Sequence, residues 1–327
     1  RLGLLGQGGM GEVFRAWDER LEREVAIKRL RSKPSTTGTQ PNEQRFLHEA
    51  KITGRLQHPG IVPVHELGTP DGAAFYVMPP LKGRTLADAI LKSGLTERLR
   101  LLPRFVAVCN AVAFAHSQGV LHRDLKPENV MLGEYGETIL LDWGLAKAGE
   151  TAEIDRQSSR SSESVDPALT VAGRALGTPA YMPPEQARGA IDEIDERSDV
   201  FGLGAMLYEL LTGRAPHQGA TPMAVTVAVL KGDIKHPEAY EPECPPELSA
   251  VALRALQLDP NDRYPSARAL IDDVSAFLEG RYVGAHQYGL GELLVRWLKQ
   301  NRLRLLVVAL LISAVCASRA VKSLKIV

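Results

Sequence analysis

Residues 120–132 read "VLHRDLKPENVML". Apolar flanks enclose His122, Arg123, Asp124, Lys126, Glu128 and Asn129. The flanks draw this run toward an interior, where an unpaired polar group costs about 1–3 kcal/mol and an unpaired charge more. Packing alone does not account for so many ionisable groups side by side, so the run is read as a site. Asp124 and Asn129 stand five apart. A carboxylate at Asp124 can orient a hydroxyl and accept its proton, and an amide at Asn129 can ligate magnesium. Lys126 can neutralise charge on a moving phosphoryl group.

Working outward, residues 139–146 read "ILLDWGLA". Three apolar residues deliver Asp142, and Gly144 lets the chain turn. A buried strand ending in an acid is a common way to present a metal ligand, so Asp142 joins Asn129 as a metal candidate. Far upstream, "GQGGMGEV" spaces Gly6, Gly8 and Gly11 as G-x-G-x-x-G, with Gln7 and Gly9 between them and Val13 after. Such glycines let backbone N–H groups approach phosphate oxygens. The motif alone suits a dinucleotide fingerprint, a phosphate-covering hairpin or a bare turn. A dinucleotide fold needs a helix directly after it, and a strand-like run follows here, which favours the hairpin. "VAIK" (residues 25–28) ends the next strand with Lys28. That lysine is either a solvated edge residue or a charge aimed at phosphates. In the second case it needs a carboxylate to hold it, and Glu49 on the following helix is the best candidate.

Residues 12–30 partly alternate apolar and polar around an acidic turn near 18–22, which predicts two antiparallel strands. Residues 42–56 predict a helix, with Phe46, Ala50, Thr53 and Leu56 on one face. "AAFYVM" (73–78) predicts a strand, and Pro79, Pro80 and Gly83 mark a junction. Leu99, Leu102, Phe105, Val106, Cys109, Val112, Ala113 and His116 then recur at helical spacing, predicting a long buried helix that ends near Gly119. Further helices are predicted at about 197–212, 221–231, 246–257 and 265–279. Residues 150–166 hold almost nothing apolar and predict a mobile loop. A small β-rich lobe, a hinge and a large helical lobe emerge.

Lys+Arg and Asp+Glu balance at 39 each, so the composition carries no nucleic-acid footprint. Cys109, Cys244 and Cys316 lie far apart with no CxxC pair, which excludes a disulfide scaffold and suits a reducing compartment. No signal peptide is visible, and a strand already under way at residues 2–5 predicts a small lobe that begins upstream of Arg1. From Leu305 to Ser318 no charge appears over 14 residues. As a helix that run is roughly 21 Å long, against roughly 30 Å of hydrocarbon, and Arg304 and Arg319 can snorkel to extend it. Arg296, Lys299, Arg302 and Arg304 precede it and favour the cytoplasm for that side, while Arg319, Lys322 and Lys325 follow. The reading adopted is a membrane helix, the alternative a buried or amphipathic terminal helix.

These motifs together resemble the eukaryotic-type (Hanks) serine/threonine protein kinases, most closely their bacterial receptor-like branch. The resemblance covers about residues 1–280 and keeps the family's motif order. It implies an α+β, bilobal protein-kinase fold, a β-rich N-lobe with one regulatory helix above a mainly helical C-lobe. The expected divisions are an N-lobe over 1–78, a hinge over 79–83 and a C-lobe over 84–281. A juxtamembrane segment over 282–302, a transmembrane helix over 303–318 and a tail over 319–327 complete them. By resemblance, Gly6, Gln7, Gly8, Gly9, Gly11, Val13, Ala26, Lys28, Glu49, Met78 and Leu81 surround ATP, with Met78 as gatekeeper. Asp124, Lys126, Asn129 and Lys28 are the catalytic set, and Asn129 and Asp142 hold Mg2+. "GTPAYMPPEQARG" (177–189) is similar to the end of the activation segment, and Arg263 is implied as the ion-pair partner of Glu185. "SDVFGLG" (198–204) is similar to the family's central helix, whose Asp199 braces the catalytic loop.

The departures are Pro79 where an acid is usual, Pro183 for Ala, and Trp143 for Phe. Pro79 and Pro80 lack N–H donors for an adenine, and Leu81 keeps one. Lys126 and Thr178 are similar to the serine/threonine class. Arg123 is implied to capture a phosphorylated activation loop, with Thr170 as the expected autophosphorylation site and five clustered serines between 158 and 164 as further acceptors. The implied partners are Ser/Thr-bearing proteins, the membrane, and a homodimer for trans-autophosphorylation. The alternatives are a pseudokinase scaffold, and a dinucleotide-binding oxidoreductase resting on the glycine motif alone.

Overall fold

The structure is a computed structural model that describes residues 3–7, 11–30, 41–69, 73–143, 147–148 and 178–293, with 298, 301, 307, 310 and 313. Five antiparallel strands open the chain: β1 (Gly3–Gln7), β2 (Gly11–Asp18), β3 (Arg23–Leu30), β4 (Glu66–Gly68) and β5 (Phe75–Met78). Their order across the sheet is β1-β2-β3-β5-β4. The predicted acidic turn joins β2 to β3: Asp18 Oδ1 accepts the amides of Arg20 and Leu21 at 3.1 and 3.2 Å. Glu22 completes the turn in the left-handed region, φ 49°. A strand, not a helix, follows Gly11, which removes the dinucleotide fold. Gly11 also has a packing reason: a Cβ there would sit 2.7 Å from Arg29 O on the neighbouring strand.

Helix α1 (Pro41–Arg55) lies against this sheet. Phe46 and Ala50 pack with Leu30, Ala74 and Tyr76 in a small core of their own. The sequence pattern therefore found the buried face of α1 as well as its length.

Beyond Met78, β6 (Arg84–Thr85), α2 (Leu86–Leu91), α3 (Leu95–Leu99) and α4 (Leu102–Ser117) follow. The single helix predicted from Leu99 is two. Leu99 closes α3, and Pro103 lies in the first turn of α4. Proline is tolerated there because its missing N–H has no intrahelical partner in any case. Strand β7 (Val120–Leu121) leads into the polar run, whose residues Pro127–Asn129 form one 3-10 turn. Strands β8 (Val130–Leu132) and β9 (Thr138–Leu140) pair behind it, and β10 (Lys147–Ala148) pairs with β7.

The helical half is completed by α5 (Pro184–Ala187), α6 (Glu196–Thr212), α7 (Pro222–Lys231), α8 (Pro246–Ala255) and α9 (Ala267–Leu278). Helix α6 is buried from Ser198 through Tyr208, so it is a core post rather than a surface helix. Gly202 within it is needed for close approach: a Cβ would lie 2.9 Å from Leu125 Cβ, between Asp124 and Lys126.

The chain divides into two compact units, Arg1–Ala285 and His286–Val327. The first includes Val283, which is buried, and Gly284 and Ala285, whose amides donate to Asp273 at 2.7 and 3.0 Å. In the second, the rings of His286 and Tyr288 meet edge to face at 4.6 Å. No helix among the described residues is long and apolar enough to cross a membrane. Most of the stretch 303–318 lies outside the described residues, as do the predicted loop 150–166 and Thr170.

Candidate active site

Asp199 organises the polar run. It is buried on α6, and its Oδ2 and Oδ1 accept the amides of His122 and Arg123, both at 2.8 Å. This clamp holds Arg123 in the left-handed region, φ 68°. Arg123 O accepts from Gln186 Nε2 at 3.0 Å, which ties the turn to α5. Asp142 is left-handed too, φ 60°. A non-glycine residue in that region costs roughly 1–2 kcal/mol, and strain of this kind gathers at functional sites.

The turn presents Asp124. Its Oδ2 accepts from Lys126 Nζ at 2.7 Å and Asn129 Nδ2 at 3.2 Å, and its Oδ1 accepts from the Thr178 amide at 3.3 Å. Lys126 Nζ also donates to Thr178 Oγ1 at 2.9 Å. Asn129 Nδ2 donates again to Asp124 O at 2.8 Å, so its two N–H groups face Asp124 and its Oδ1 is left to accept or ligate. The arrangement is an acid held by donors beside a lysine, able to orient a hydroxyl and take its proton. His122 supports it: Asp124 N donates to His122 Nδ1 at 3.3 Å, and His122 Nε2 lies 3.0 Å from Leu141 O. That pattern fits the neutral imidazole protonated on Nε2.

Asp142 is exposed two residues beyond β9, while Trp143 is 1% exposed in the main core. The Trp143 ring meets the His122 ring at 4.6 Å and 58°. Its indole Nε1 has no hydrogen-bond partner among the described residues. The larger ring is thus accommodated in the core.

Lys28 and Glu49 meet as anticipated, Nζ to Oε1 at 2.6 Å. A third member was not anticipated: Tyr76 Oη donates to the same Oε1 at 2.7 Å. Tyr76 had been visible only as one residue of an apolar strand. Val13 pairs with both Gly6 and Lys28, and Ala26 with Met78, so register gathers these candidates around Lys28. A Cβ on Gly6 would meet nothing within 4 Å among the described residues. Gln7 ends β1 opposite Glu12, and Gly8 and Gly9 lie outside the described residues. Pro79, Pro80 and Leu81 are half-buried, and no backbone bond among the described residues uses the Leu81 N–H.

These residues suit a magnesium–nucleotide pair. Asn129 Oδ1 and the Asp142 carboxylate are hard oxygen donors, and magnesium commonly takes one or two protein ligands while keeping waters and phosphates. Among the described residues, no group of three or more His, Cys, Asp or Glu could hold a metal.

Glu185, on α5, is fully buried against Arg263: the two Oε atoms take Nη1 and Nη2, each at 2.9 Å. Ser198 Oγ donates to Glu185 Oε1 at 2.6 Å. The segment carrying Thr178 is therefore anchored one residue away from Asp199.

The Asp199 clamp is pH-sensitive. His116 Nε2 lies 2.8 Å from Asp199 Oδ2. Burial acts to lower the His116 pKa, but the hydrogen bond and charge of Asp199, then Glu196 and Asp195, raise it above 6.5. Burial acts to raise Asp199, but His116, His122 and the Arg123 amide bring it below 3.8. A raised histidine contributes stability that is complete below 6.5 and is lost as pH rises through the folded value. A depressed aspartate contributes stability above 3.8 that is lost as pH falls through its folded value. Denaturant midpoints from pH 5.5 to 8.5 should therefore fall with rising pH, and His116→Gln should flatten the slope. The slope from this one proton is at most about 1.4 kcal/mol per pH unit. Equal slopes for both proteins would refute the pairing.

Comparison with known proteins agrees with this geometry. The protein kinase domain family matches residues 1–274. Serine/threonine-protein kinase PknD of Protochlamydia amoebophila is 39% identical over 293 residues, covering 85% of this chain and 29% of that protein. PknD of Chlamydia caviae is 38% identical over 292 residues, covering 85% and 31%. PknD of Chlamydia trachomatis serovar D is 36% identical over 297 residues, with the same two shares. The chain spans less than a third of the length of these curated relatives.

Proposed function

The chain belongs to the protein kinase family, with serine/threonine kinases among its relatives, and on that premise we propose that it transfers the γ-phosphoryl group of ATP to Ser or Thr hydroxyls of proteins. The observation that carries this reading is the Asp124–Lys126–Asn129–Thr178 constellation, held by Asp199. Asp124 accepts the hydroxyl proton as the hydroxyl oxygen bonds to γ-phosphorus and the bond to the bridging oxygen of ADP breaks. Lys126 stabilises charge on the transferring group, and Lys28, steadied by Glu49, holds phosphate oxygens. Asn129 and Asp142 would hold magnesium, which when bound neutralises phosphate charge. Gly6, Gly8 and Gly11 would cover the phosphates with N–H groups from the hairpin, and Val13, Ala26, Met78 and Leu81 would flank the base. The presence of Lys28, Asp124, Asn129 and Asp142 argues against a scaffold without transfer, for which Trp143 and Pro79 are the weaker indications.

Intact mass after incubation with Mg-ATP tests the reading, beside an Asp124→Asn control. Addition of whole phosphates to the wild type alone supports it, and no gain on either the chain or a generic protein substrate sinks it. Peptide mapping of the same sample tests Thr170, whose phosphate Arg123 would capture. A rate that rises with chain concentration would mark transfer between two copies. The uncharged run 305–318 supports tethering to a membrane with the kinase domain on the cytoplasmic side. Sedimentation of the 327-residue chain with vesicles after carbonate washing reads this directly, and a chain left in the supernatant rejects it.

A further inference from the structure

The Tyr76 hydroxyl has no place in the reaction just described, yet it is buried against that reaction's lysine and glutamate. Register places Lys28 and Tyr76 directly opposite each other on β3 and β5. Cross-strand neighbours leave the sheet on the same face, and here α1 covers that face. The Tyr76 ring packs against Phe46 of α1, 5.3 Å between centroids, and Lys28 Nζ lies 5.6 Å from the Tyr76 centroid. The hydroxyl and the ammonium then converge on Glu49 Oε1 at 2.7 and 2.6 Å. Glu49 is 2% exposed, and its Oε2 has no hydrogen-bond partner among the described residues. Among the described residues, two donors on one oxygen thus carry the hydrogen bonding of this buried carboxylate.

We propose that Tyr76 is a positioning residue: its hydroxyl holds Glu49, and through Glu49 helix α1 and Lys28, in the geometry that receives nucleotide phosphates. The inference rests on the kinase reading above. Lys28 has two claims on it, Glu49 and phosphate. When the ammonium turns toward phosphate oxygens, a carboxylate tethered by Lys28 alone loses part of its hold, and a buried charge with a weakened partner is driven toward water. Tyr76 supplies a second tether that phosphate does not compete for, on a rigid ring fixed in the sheet. The hydroxyl stays a donor at any working pH, because burial, then the charge and hydrogen bond of Glu49, then Asp142, push its ionisation far upward. Packing does not explain the hydroxyl, since phenylalanine would make the same contact with Phe46.

The test uses the 327-residue chain as wild type, Tyr76→Phe, Glu49→Ala and the double variant. If the hydroxyl sets the fraction of chains with Glu49 in place, its loss lowers apparent nucleotide affinity by that fraction and spares turnover at saturation. The expected result is a rise of about tenfold in the calorimetric Kd for Mg-ATP and in KM, with kcat changed less than threefold. Amide exchange across 41–55 should quicken by about the same factor. In the Glu49→Ala background, adding Tyr76→Phe should change Kd less than about twofold, the mark of a coupled pair. An unchanged Kd in Tyr76→Phe, an equal change with and without Glu49, or a lower thermal midpoint with KM and exchange unmoved would each overturn the proposal. Glu49→Gln gives a second line independent of that variant's folding. It keeps an acceptor for the hydroxyl, so α1 should stay better protected than in Glu49→Ala, and equal exposure counts against the hydroxyl. Calorimetry and exchange need no phosphoryl transfer. A chain that binds nucleotide with this Tyr76 dependence yet transfers nothing therefore refutes the enzyme reading alone, whereas transfer without the dependence refutes this one.

Discussion

Replacing Asp124 by Asn should lower phosphoryl transfer about a thousandfold while nucleotide affinity changes less than about threefold. A positioned general base contributes roughly 10²–10⁴ in rate, and a thousandfold corresponds to about 4 kcal/mol of barrier. The structure adds a second cost. Three donors face the carboxylate: Lys126 Nζ, Asn129 Nδ2 and the Thr178 amide. An asparagine presents one acceptor oxygen and one NH2 group, so at least one of these donors must face another donor. With the amide oxygen in the Oδ2 position Lys126 and Asn129 keep their acceptor, and the Thr178 amide is the donor left facing the NH2 group. Initial rates at saturating Mg-ATP, with calorimetry for binding, measure both numbers. A rate within tenfold of wild type would remove Asp124 from the proposed role.

Replacing Arg263 by Leu should destabilise the fold by about 3–5 kcal/mol, because it strips Glu185, a buried charge, of its cationic partner and leaves Ser198 as the side-chain donor. For a unit of this size that is a drop in thermal midpoint on the order of 10 °C. The lost contacts reach beyond the ion pair: Arg263 also donates to Arg197 O, Gln257 O and Leu258 O, and stacks over Phe201. The pH dependence should change sign. In the wild type, burial acts to raise Glu185, but Arg263 and then Ser198 outweigh it and bring its pKa below 4.5. A depressed carboxyl contributes stability above 4.5 that is lost as pH falls through its folded value. Without Arg263 burial dominates, the carboxyl shifts upward, and the variant should gain stability relative to wild type on acidification. Adding Glu185→Gln should recover part of the loss, since a neutral amide is cheaper to bury than a charge. Urea titrations at two pH values check magnitude and sign together, and a loss under about 1 kcal/mol would contradict the account.

Both expectations concern the same post. Helix α6 offers Ser198 to Glu185 and Asp199 to the turn before Asp124. A deeply buried helix cannot tilt without repacking its core, so the end of the Thr178 segment and the acid it contacts share one rigid reference. Gly202 extends the same logic by letting α6 lie against Leu125.

Much of this was legible in the chain itself. Alternation around residues 12–30, the periodic face of residues 42–56 and the crowding of charge in "VLHRDLKPENVML" reflect local chemistry. Each residue type there suits one backbone geometry or one solvent exposure. The pairing of Lys28 with Glu49 followed from asking what a phosphate-facing lysine requires. Other features could not be read this way. His116 appeared only as an apolar-face position of a helix, and its partner Asp199 lies on another helix. The left-handed backbone falls on Arg123 and Asp142 themselves, residue types that do not announce it.

Local pattern thus determined most of the segments that become strands and helices, and which polar residues cannot be there for packing alone. Tertiary structure decided which partner each buried polar atom obtains. The register of β3 against β5 put the Tyr76 hydroxyl on Glu49, the burial of α6 put Asp199 beneath the turn, and core packing set the Trp143 ring against His122. The physical reason is range. Propensity and periodicity act over a few residues, whereas hydrogen-bond satisfaction in an interior depends on atoms that only long-range pairing and close packing bring within about 3 Å.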